Sequence, residues 1–215
     1  MYTIYFIIAL LALLVLSPII LGFVLLYLGT AGFTTLGFSP VAALLVLLIM
    51  LIGSFVNIPI SKKKMVKVRE SSFLGMFGRY VWRAQGLSIN LGGAVIPLFI
   101  AAYLLSYIPV YPVFWSVLVV AFVAFLSSRF VPGVGVVAPA VLPVVFAALF
   151  ALLLSPEYAA ETAFVSGVLG VLLGADVLRL PSIMRRTGGV LCIGGAGVFD
   201  GIFIVGIVSA ILAGI

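Results

Sequence analysis

Most of this chain consists of apolar stretches that are each long enough to cross a lipid bilayer. A transmembrane helix needs about 20 consecutive, mostly apolar residues, and the chain is 66% hydrophobic and only 7% charged. Soluble domains carry about 25% charged residues, so this chain cannot cover itself with a polar surface. The sequence therefore predicts an all-α, multi-pass helical bundle in the cell membrane, as one domain over residues 1–215.

The positions of the apolar stretches and of the breaks between them predict seven spans. They cover residues 3–28, 40–60, 88–108, 111–128, 137–154, 160–178 and 190–215. The first stretch has no Lys or Arg in front of it and is longer than the apolar core of a cleaved signal peptide. We therefore expect it to be a spanning helix, kinked at Pro18.

The eleven Lys and Arg residues predict the orientation of the bundle. Basic residues accumulate in the cytoplasmic loops of membrane proteins. A cytoplasmic N-terminus puts every basic residue inside, namely those in 61–86 together with Arg129, Arg179, Arg185 and Arg186. Glu157 and Glu161 then fall outside. The sequence thus predicts a cytoplasmic N-terminus and an external C-terminus.

The basic segment 61–86 is interpreted as an amphipathic helix on the inner leaflet, where Arg79 and Arg83 lie among aromatic and aliphatic residues. Its Lys and Arg side chains would meet anionic lipid. The segment would then serve as a topology anchor or, alternatively, as a lipid sensor or gate.

Since topology explains the net charge of +6, we predict no nucleic-acid partner. Homo-oligomerisation is left open.

The lack of histidine and the single cysteine, Cys192, restrict the chemistry of the chain. An intramolecular disulfide is excluded. Histidine is the commonest metal ligand and the usual general base, so serine–histidine, cysteine–histidine and zinc-hydrolase mechanisms are excluded as well. We predict no cofactor, and the sequence identifies no metal.

Four polar side chains lie within or at the edge of the predicted spans, all in the cytoplasmic half: Asn57, Asn90, Asp176 and Asp200. With a rise of about 1.5 Å per residue, both aspartates lie roughly 22 Å from the outer boundary. That is about 8 Å below the inner surface of a hydrocarbon core about 30 Å thick. Ionisable groups at this depth are candidates for a functional site. The last two spans are antiparallel neighbours, so the two carboxylates can face each other.

Each of these residues also has a purely structural interpretation. Asp176 and Arg179 have the spacing of an ion pair on one helix face. Asp200 is placed to cap half of a helix that glycines interrupt. Asn57 and Asn90 are placed to cap helix ends.

Glycine and proline cluster before three spans on the cytoplasmic side, in "NLGGAVIP", "RFVPGVGVVAPAVLP" and "GGVLCIGGAG". Broken helices with exposed ends form ion and substrate sites in transporters. The predicted site therefore includes the backbone of Gly92, Gly93, Gly133, Gly135, Gly194, Gly195 and Gly197. In the sixth span, Gly167, Gly170 and Gly174 instead favour close helix packing.

Four segments in this order, "NLGGAVIP", "VPGVGVVAP", "LGADVLRL" and "IGGAGVFDGIF", resemble the prokaryotic membrane-protein family called domain of unknown function 1614. The resemblance runs from about residue 50 to the end. It implies a polytopic membrane protein, gives weight to the surroundings of Asp176 and Asp200, and assigns no chemistry.

A fainter similarity links Asp176, an inner loop and "GAGVFD" ending at Asp200 to presenilin-like intramembrane aspartyl proteases. Those proteases carry G-x-G-D, whereas here two residues separate Gly197 from Asp200, and no PAL motif follows.

Three functions are compatible with these residues. The preferred one is a small cation- or proton-coupled transporter or channel, in which Asp176 and Asp200 bind the ion and Asn57 and Asn90 add oxygen ligands. The second is an intramembrane aspartyl protease with Asp176 and Asp200 as its catalytic pair. The third is a non-catalytic component that assists membrane assembly or responds to lipid.

Overall fold

Helices occupy most of the first six predicted spans and half of the seventh, 190–215. The computed structural model of the chain describes residues 2–71, 78–131, 135–137, 139–181, 184, 189–195 and 201–215. Seven α-helices lie in this part of the chain: α1 (Tyr2–Thr35), α2 (Pro40–Gly53), α3 (Ile96–Leu104), α4 (Val110–Ser127), α5 (Val141–Leu154), α6 (Ala159–Val171) and α7 (Gly201–Ala213).

The helices are apolar, and three of them have the length of a membrane span. Three helical stretches, Leu13–Thr35, Val110–Ser127 and Pro156–Val177, are long and apolar enough to cross a bilayer. The others are shorter apolar helices of 10–17 residues. Their apolar side chains are widely exposed on the outside of the bundle, for example Phe122 and Leu153, as expected where the solvent is lipid.

Two of the helices are extended at one end by π-helical turns. Leu91–Val95 forms a π-helical turn directly before α3, and Leu172–Val177 forms another directly after α6. A short 3-10 turn, Pro156–Tyr158, precedes α6. π-Helical turns inside helices are rare and frequently mark functional sites, and the second one contains Asp176.

The chain is mostly helical, as predicted, but it is not all-α, because it also forms small β-sheets. The larger sheet contains β1 (Asn57–Pro59), β2 (Lys64–Ser71), β3 (Gly78–Asn90) and β6 (Val190–Ile193). Its central strand is β3, which pairs antiparallel with β1 and β2 and parallel with β6. A separate hairpin joins β4 (Arg129–Val131) to β5 (Gly135–Val137).

The prediction of an amphipathic helix over 61–86 is also wrong. In the described residues of this segment, 61–71 and 78–86, β2 and β3 form a two-stranded ribbon that pairs from Lys64 opposite Gln85 to Ser71 opposite Gly78. In β2, Val66 and Val68 alternate with basic residues, and a period of two with β-branched side chains favours a strand. The sheet also shortens three of the predicted spans. The spans 40–60, 88–108 and 190–215 are too long, because 57–59, 88–90 and 190–193 are strands.

The helix packing defines two ends of the bundle. At the sheet end, the carboxylate of Asp176, after α6, contacts the turn at Gly194, after β6. At the opposite end, the last turns of α1 and α7 meet the start of α6, where a Cβ built on Gly214 would lie 3.4 Å from Ala160 and Thr35.

The two ends differ in charge. Glu157 and Glu161 lie at the start of α6, at the end opposite the sheet. The basic residues with described side chains lie at or near the sheet end, in or beside the strands and after α6: Lys62, Lys63, Lys64, Lys67, Arg83, Arg129 and Arg179. The charge separation that the sequence predicted is therefore present in the fold.

Small residues bring α4, α6 and α7 into close contact, as the sequence predicted. A Cβ added to Gly174 would lie 2.1 Å from the carbonyl oxygen of Ala121 in α4, and one added to Gly170 would lie 2.5 Å from the side chain of Val120. On the other side of α6, a Cβ on Gly167 would lie 3.1 Å from the Cα of Gly206 in α7. These glycines therefore allow backbone-to-backbone packing.

We expect Gly174→Ala to destabilise the bundle, because the added methyl group meets a backbone carbonyl that cannot rotate away. Overpacking of this kind costs about 1–3 kcal/mol, and each kcal/mol lowers the Tm of a chain of this size by about 2–4 °C. Thermal unfolding in detergent, followed by circular dichroism, measures the effect.

The matched control is Gly22→Ala in α1, where a Cβ would meet nothing within 4 Å. This change should preserve or raise the Tm, since alanine favours a helix over glycine by about 1 kcal/mol. Equal Tm values for the two variants would contradict the close contact between α4 and α6.

Candidate functional site

Four side chains lie at the sheet end in a group that we call the polar cluster, and three of them, Asn57, Asn90 and Cys192, are joined to one another by hydrogen bonds. Its members are Asn57 at the start of β1, Asn90 at the end of β3, Asp176 in the π-helical turn after α6, and Cys192 in β6. The backbone N–H groups of Gly93 and Gly194 complete it.

Asn90 is the most highly connected member of the polar cluster. It is fully buried, at 0% exposure. Its Nδ2 donates to the carbonyl oxygen of Ser54 at 2.7 Å and to Oδ1 of Asn57 at 2.8 Å, and its Oδ1 accepts the N–H of Gly93 at 2.7 Å. Asn90 therefore caps the helical stretch that begins at Leu91, as one interpretation of the sequence proposed, and ties it to the end of α2.

Strand register explains why Asn57 and Cys192 meet. Asn57 lies opposite Asn90 on one side of β3, and Cys192 lies opposite Ser88 on the other side. Residues two apart in a strand point to the same face, so all four side chains share one face of the sheet. Oδ1 of Asn57 accepts from Sγ of Cys192 at 3.0 Å in addition to its bond from Asn90.

Asp176 joins this group through the turn that follows β6. Its Oδ2 accepts the backbone N–H of Gly194 at 3.2 Å. Gly194 has a φ of +79°, and a Cβ there would lie 2.5 Å from the Cβ and 2.9 Å from the N of Ala94. Only glycine fits, so the turn presses against the first helical turn after Asn90. The N-terminal end of a helix carries a partial positive charge, which favours an acidic side chain nearby.

The end of α6 is held to α4 by a second contact. The guanidinium of Arg179 donates to the carbonyl oxygen of Phe125 and lies 4.7 Å from the centre of its ring. A cation over an aromatic face is attracted by the ring quadrupole. The π-helical turn that carries Asp176 is therefore anchored on the α4 side as well as on the sheet side. The ion pair between Asp176 and Arg179 stays a prediction.

The structure brings together many of the residues that the sequence assigned to a site. Asn57, Asn90 and Asp176 lie in the polar cluster. Among the predicted backbone elements, Gly92 and Gly93 lie in the π-helical turn before α3, Gly194 and Gly195 form the turn after β6, and Gly135 begins β5.

Three other predicted site residues lie outside the described residues: Asp200, Gly133 and Gly197. The pairing of Asp176 with Asp200 therefore stays a prediction.

Sequence reasoning missed Cys192 as a member of the site. Its partner Asn57 is 135 positions away, and no local pattern signals such a contact.

The chemistry open to the polar cluster depends on Asp176. Asn57 and Asn90 use their side-chain oxygens to accept protein hydrogen bonds, so they brace the site. Asp176 is half-buried, its Oδ2 accepts the N–H of Gly194, and its carboxyl is the acidic group of the polar cluster. Within the described part of the chain, no group of three or more Cys, Asp or Glu side chains is placed to hold a metal ion.

We expect Asn90→Ala to lower the free energy of unfolding by about 2 kcal/mol or more. It removes a helix cap, worth about 1 kcal/mol, and leaves buried acceptors without donors, at about 1–3 kcal/mol. Asn90→Asp keeps an acceptor for Gly93 but turns an oxygen towards the acceptors of Ser54 and Asn57. It should therefore be no more stable than Asn90→Ala.

Thermal unfolding in detergent measures both variants. Ser88→Ala is the matched control in β3, because it removes only the 3.2 Å bond from Ser88 to the carbonyl of Leu191. It should cost about 1 kcal/mol or less. A stability of Asn90→Asp equal to that of the unmodified protein would contradict the assigned hydrogen bonds.

Comparison with known proteins gives one family. The family model described as Protein of unknown function (DUF1614) matches residues 51–212. No curated protein and no solved structure matches the chain. The match covers most of the chain, contains the whole polar cluster, and confirms the resemblance carried by the four sequence segments; the presenilin-like similarity receives no such support. The chain therefore belongs to the DUF1614 family.

Proposed function

We propose that this membrane protein is a small cation- or proton-coupled transporter or channel, and that Asp176 binds the cation or proton. The observation that supports this most directly is the contact of its carboxylate with the N–H of Gly194. This contact joins an ionisable group in the π-helical turn after α6 to the Gly194 turn, which itself packs against the π-helical turn before α3. Transporters build ion sites where discontinuous helices meet.

Occupancy of Asp176 would change the contacts of the turn after β6. A hydrogen bond to an ionised acceptor is roughly twice as strong as one between neutral groups. A proton or cation at Asp176 would therefore weaken its hold on Gly194 and loosen the approach to α7. Gly194 and Gly195 both have positive φ angles, so this turn has backbone freedom that other residues lack.

In this proposal the other predicted residues divide into two roles. Asn57 and Asn90 brace the sheet end, because their oxygens already accept protein hydrogen bonds. Asp200, six residues after Gly194 in the sequence, would be the second carboxylate of the site. Two neighbouring carboxylates do not both ionise freely, because their negative charges repel. One of them therefore holds a proton more readily than an isolated carboxyl group would, which suits coupling to a proton.

We propose further that the sheet end faces the cytoplasm, since it carries the basic residues of the bundle. In a Cys192→Ser background, cysteines can be placed at Lys62 and at Glu157, which are both exposed. A membrane-impermeant maleimide added to intact cells should label Glu157→Cys and leave Lys62→Cys unlabelled until the membrane is opened. The reverse pattern would contradict the orientation.

We expect Asp176→Asn to lower proton or cation flux through reconstituted liposomes by about tenfold or more, which needs a loss of only about 1.4 kcal/mol at the site. The fold should persist, because the asparagine oxygen can still accept the N–H of Gly194. Glu157→Gln, at the opposite end of the bundle, is the charge-matched control and should leave the flux unchanged.

Equal flux through the unmodified protein and Asp176→Asn would contradict the proposal. A cleavage assay with a single-span substrate, run on the same liposomes, distinguishes the alternatives. Cleavage that both Asp176→Asn and Asp200→Asn abolish, without any flux, would favour an intramembrane aspartyl protease. A protein with neither activity would point to the assembly or lipid-responsive component.

A further inference from the structure

The β2–β3 ribbon reaches beyond the rest of its sheet. β1 pairs with β3 only from Ser88 to Asn90, and β6 pairs with it from Gly86 to Ile89. In the described part of the chain, the stretch of β3 from Gly78 to Gln85 has β2 as its strand partner. A two-stranded ribbon is at best marginally stable in water without a surface to pack on.

One face of this ribbon combines apolar and basic side chains that are exposed. Met65 lies opposite Ala84, and Lys67 lies opposite Trp82, so the four side chains share a face, which we call the ribbon face. Met65 is 62% exposed and Trp82 is 60% exposed. Nζ of Lys67 lies 5.5 Å from the centre of the Trp82 ring.

The surroundings of the ribbon face are strongly basic. Lys62, Lys63, Lys64 and Arg83 are all exposed beside it. The sequence of 57–67 and 81–95 contains no acidic residue. A tryptophan next to lysines has the character of a membrane interface, where the ring enters the headgroup region and the ammonium groups meet anionic lipid.

The ribbon is connected to two helix ends, to α2 through β1 and directly from β3 to the helical stretch before α3. β1 begins shortly after α2 ends at Gly53, and β3 runs directly into the helical stretch at Leu91. The ribbon therefore starts at the surface of the bilayer that holds those helices. This short connection favours the headgroups of that same bilayer over a distant partner.

We propose that the ribbon face docks on the anionic lipid headgroups of the bilayer in which the protein resides. Trp82 and Met65 enter the headgroup region, and the surrounding lysines pair with lipid phosphates. The device differs from an amphipathic helix, because a single exposed strand pair supplies both the apolar anchor and the charge. The proposal is independent of the ion site at Asp176.

The chain has two tryptophans, so its own fluorescence can report on this contact. Trp115→Phe, a change on the exposed surface of α4, leaves Trp82 as the only tryptophan. The variant is reconstituted into vesicles of phosphatidylcholine alone or mixed with phosphatidylglycerol. Emission wavelength and quenching by brominated lipid are then measured at low and high salt.

We expect Trp82 emission to shift to the blue in the anionic vesicles, with about twofold more quenching by brominated lipid than in phosphatidylcholine, because each basic residue adds attraction to an anionic surface. High salt should reduce the difference. Combined Lys62→Gln, Lys63→Gln and Lys64→Gln substitutions should reduce it too. In a Trp82→Phe protein, the emission wavelength and quenching of Trp115 should be the same in both kinds of vesicle. This control also shows that the reconstituted protein is folded in both lipids.

Two results would overturn the proposal. Trp82 emission that stays typical of water in anionic vesicles would show that the ribbon stands clear of the bilayer. A blue shift that brominated lipid does not quench, and that is the same with both lipids, would show that protein covers the ribbon face instead, such as a second copy of the chain.

Discussion

The hydrogen bonds of Asn90 connect the segments at the sheet end of the bundle, where the helices give way to strands and turns. Next to a bilayer, backbone N–H and C=O groups outside helices must find partners within the protein. Asn90 binds the carbonyl of Ser54 after α2, caps Gly93 before α3, and fixes Asn57 in β1. With these ends joined, β6 can pair along β3 and bring Gly194 to Asp176.

The same constraint explains why short helices suffice in much of the bundle. α2, α5 and α7 have 14, 14 and 13 residues, and at about 1.5 Å per residue each is roughly 20 Å long, against a hydrocarbon core of about 30 Å. Strands, π-helical turns and a glycine turn supply hydrogen-bonded backbone at the sheet end. Asp176 lies in one of these elements, a π-helical turn, and binds the N–H of another, the Gly194 turn, so the proposed ion site lies among them.

Sequence reasoning predicted the features that hydropathy and small residues encode. The helix positions, the charge difference between the two ends and the close contact at Gly174 were all predicted. The sheet was not, because apolar strands such as Val190–Ile193 continue the hydropathy of a neighbouring helix, and short apolar runs do not distinguish the two. The bond between Cys192 and Asn57 depends on the register of β3 with two other strands, which no local pattern records.

The proposed function depends on reversible binding of a proton or cation by Asp176 in the polar cluster. Infrared difference spectroscopy on the reconstituted protein, with a pH step or addition of a monovalent cation, follows the carboxyl group itself. We expect a carboxyl band that changes when the pH is stepped or the cation is added, and that is absent from the difference spectrum of Asp176→Asn. Identical difference spectra for the unmodified protein and this variant would contradict reversible binding at Asp176, because its carboxyl group would then not respond to pH or to the cation.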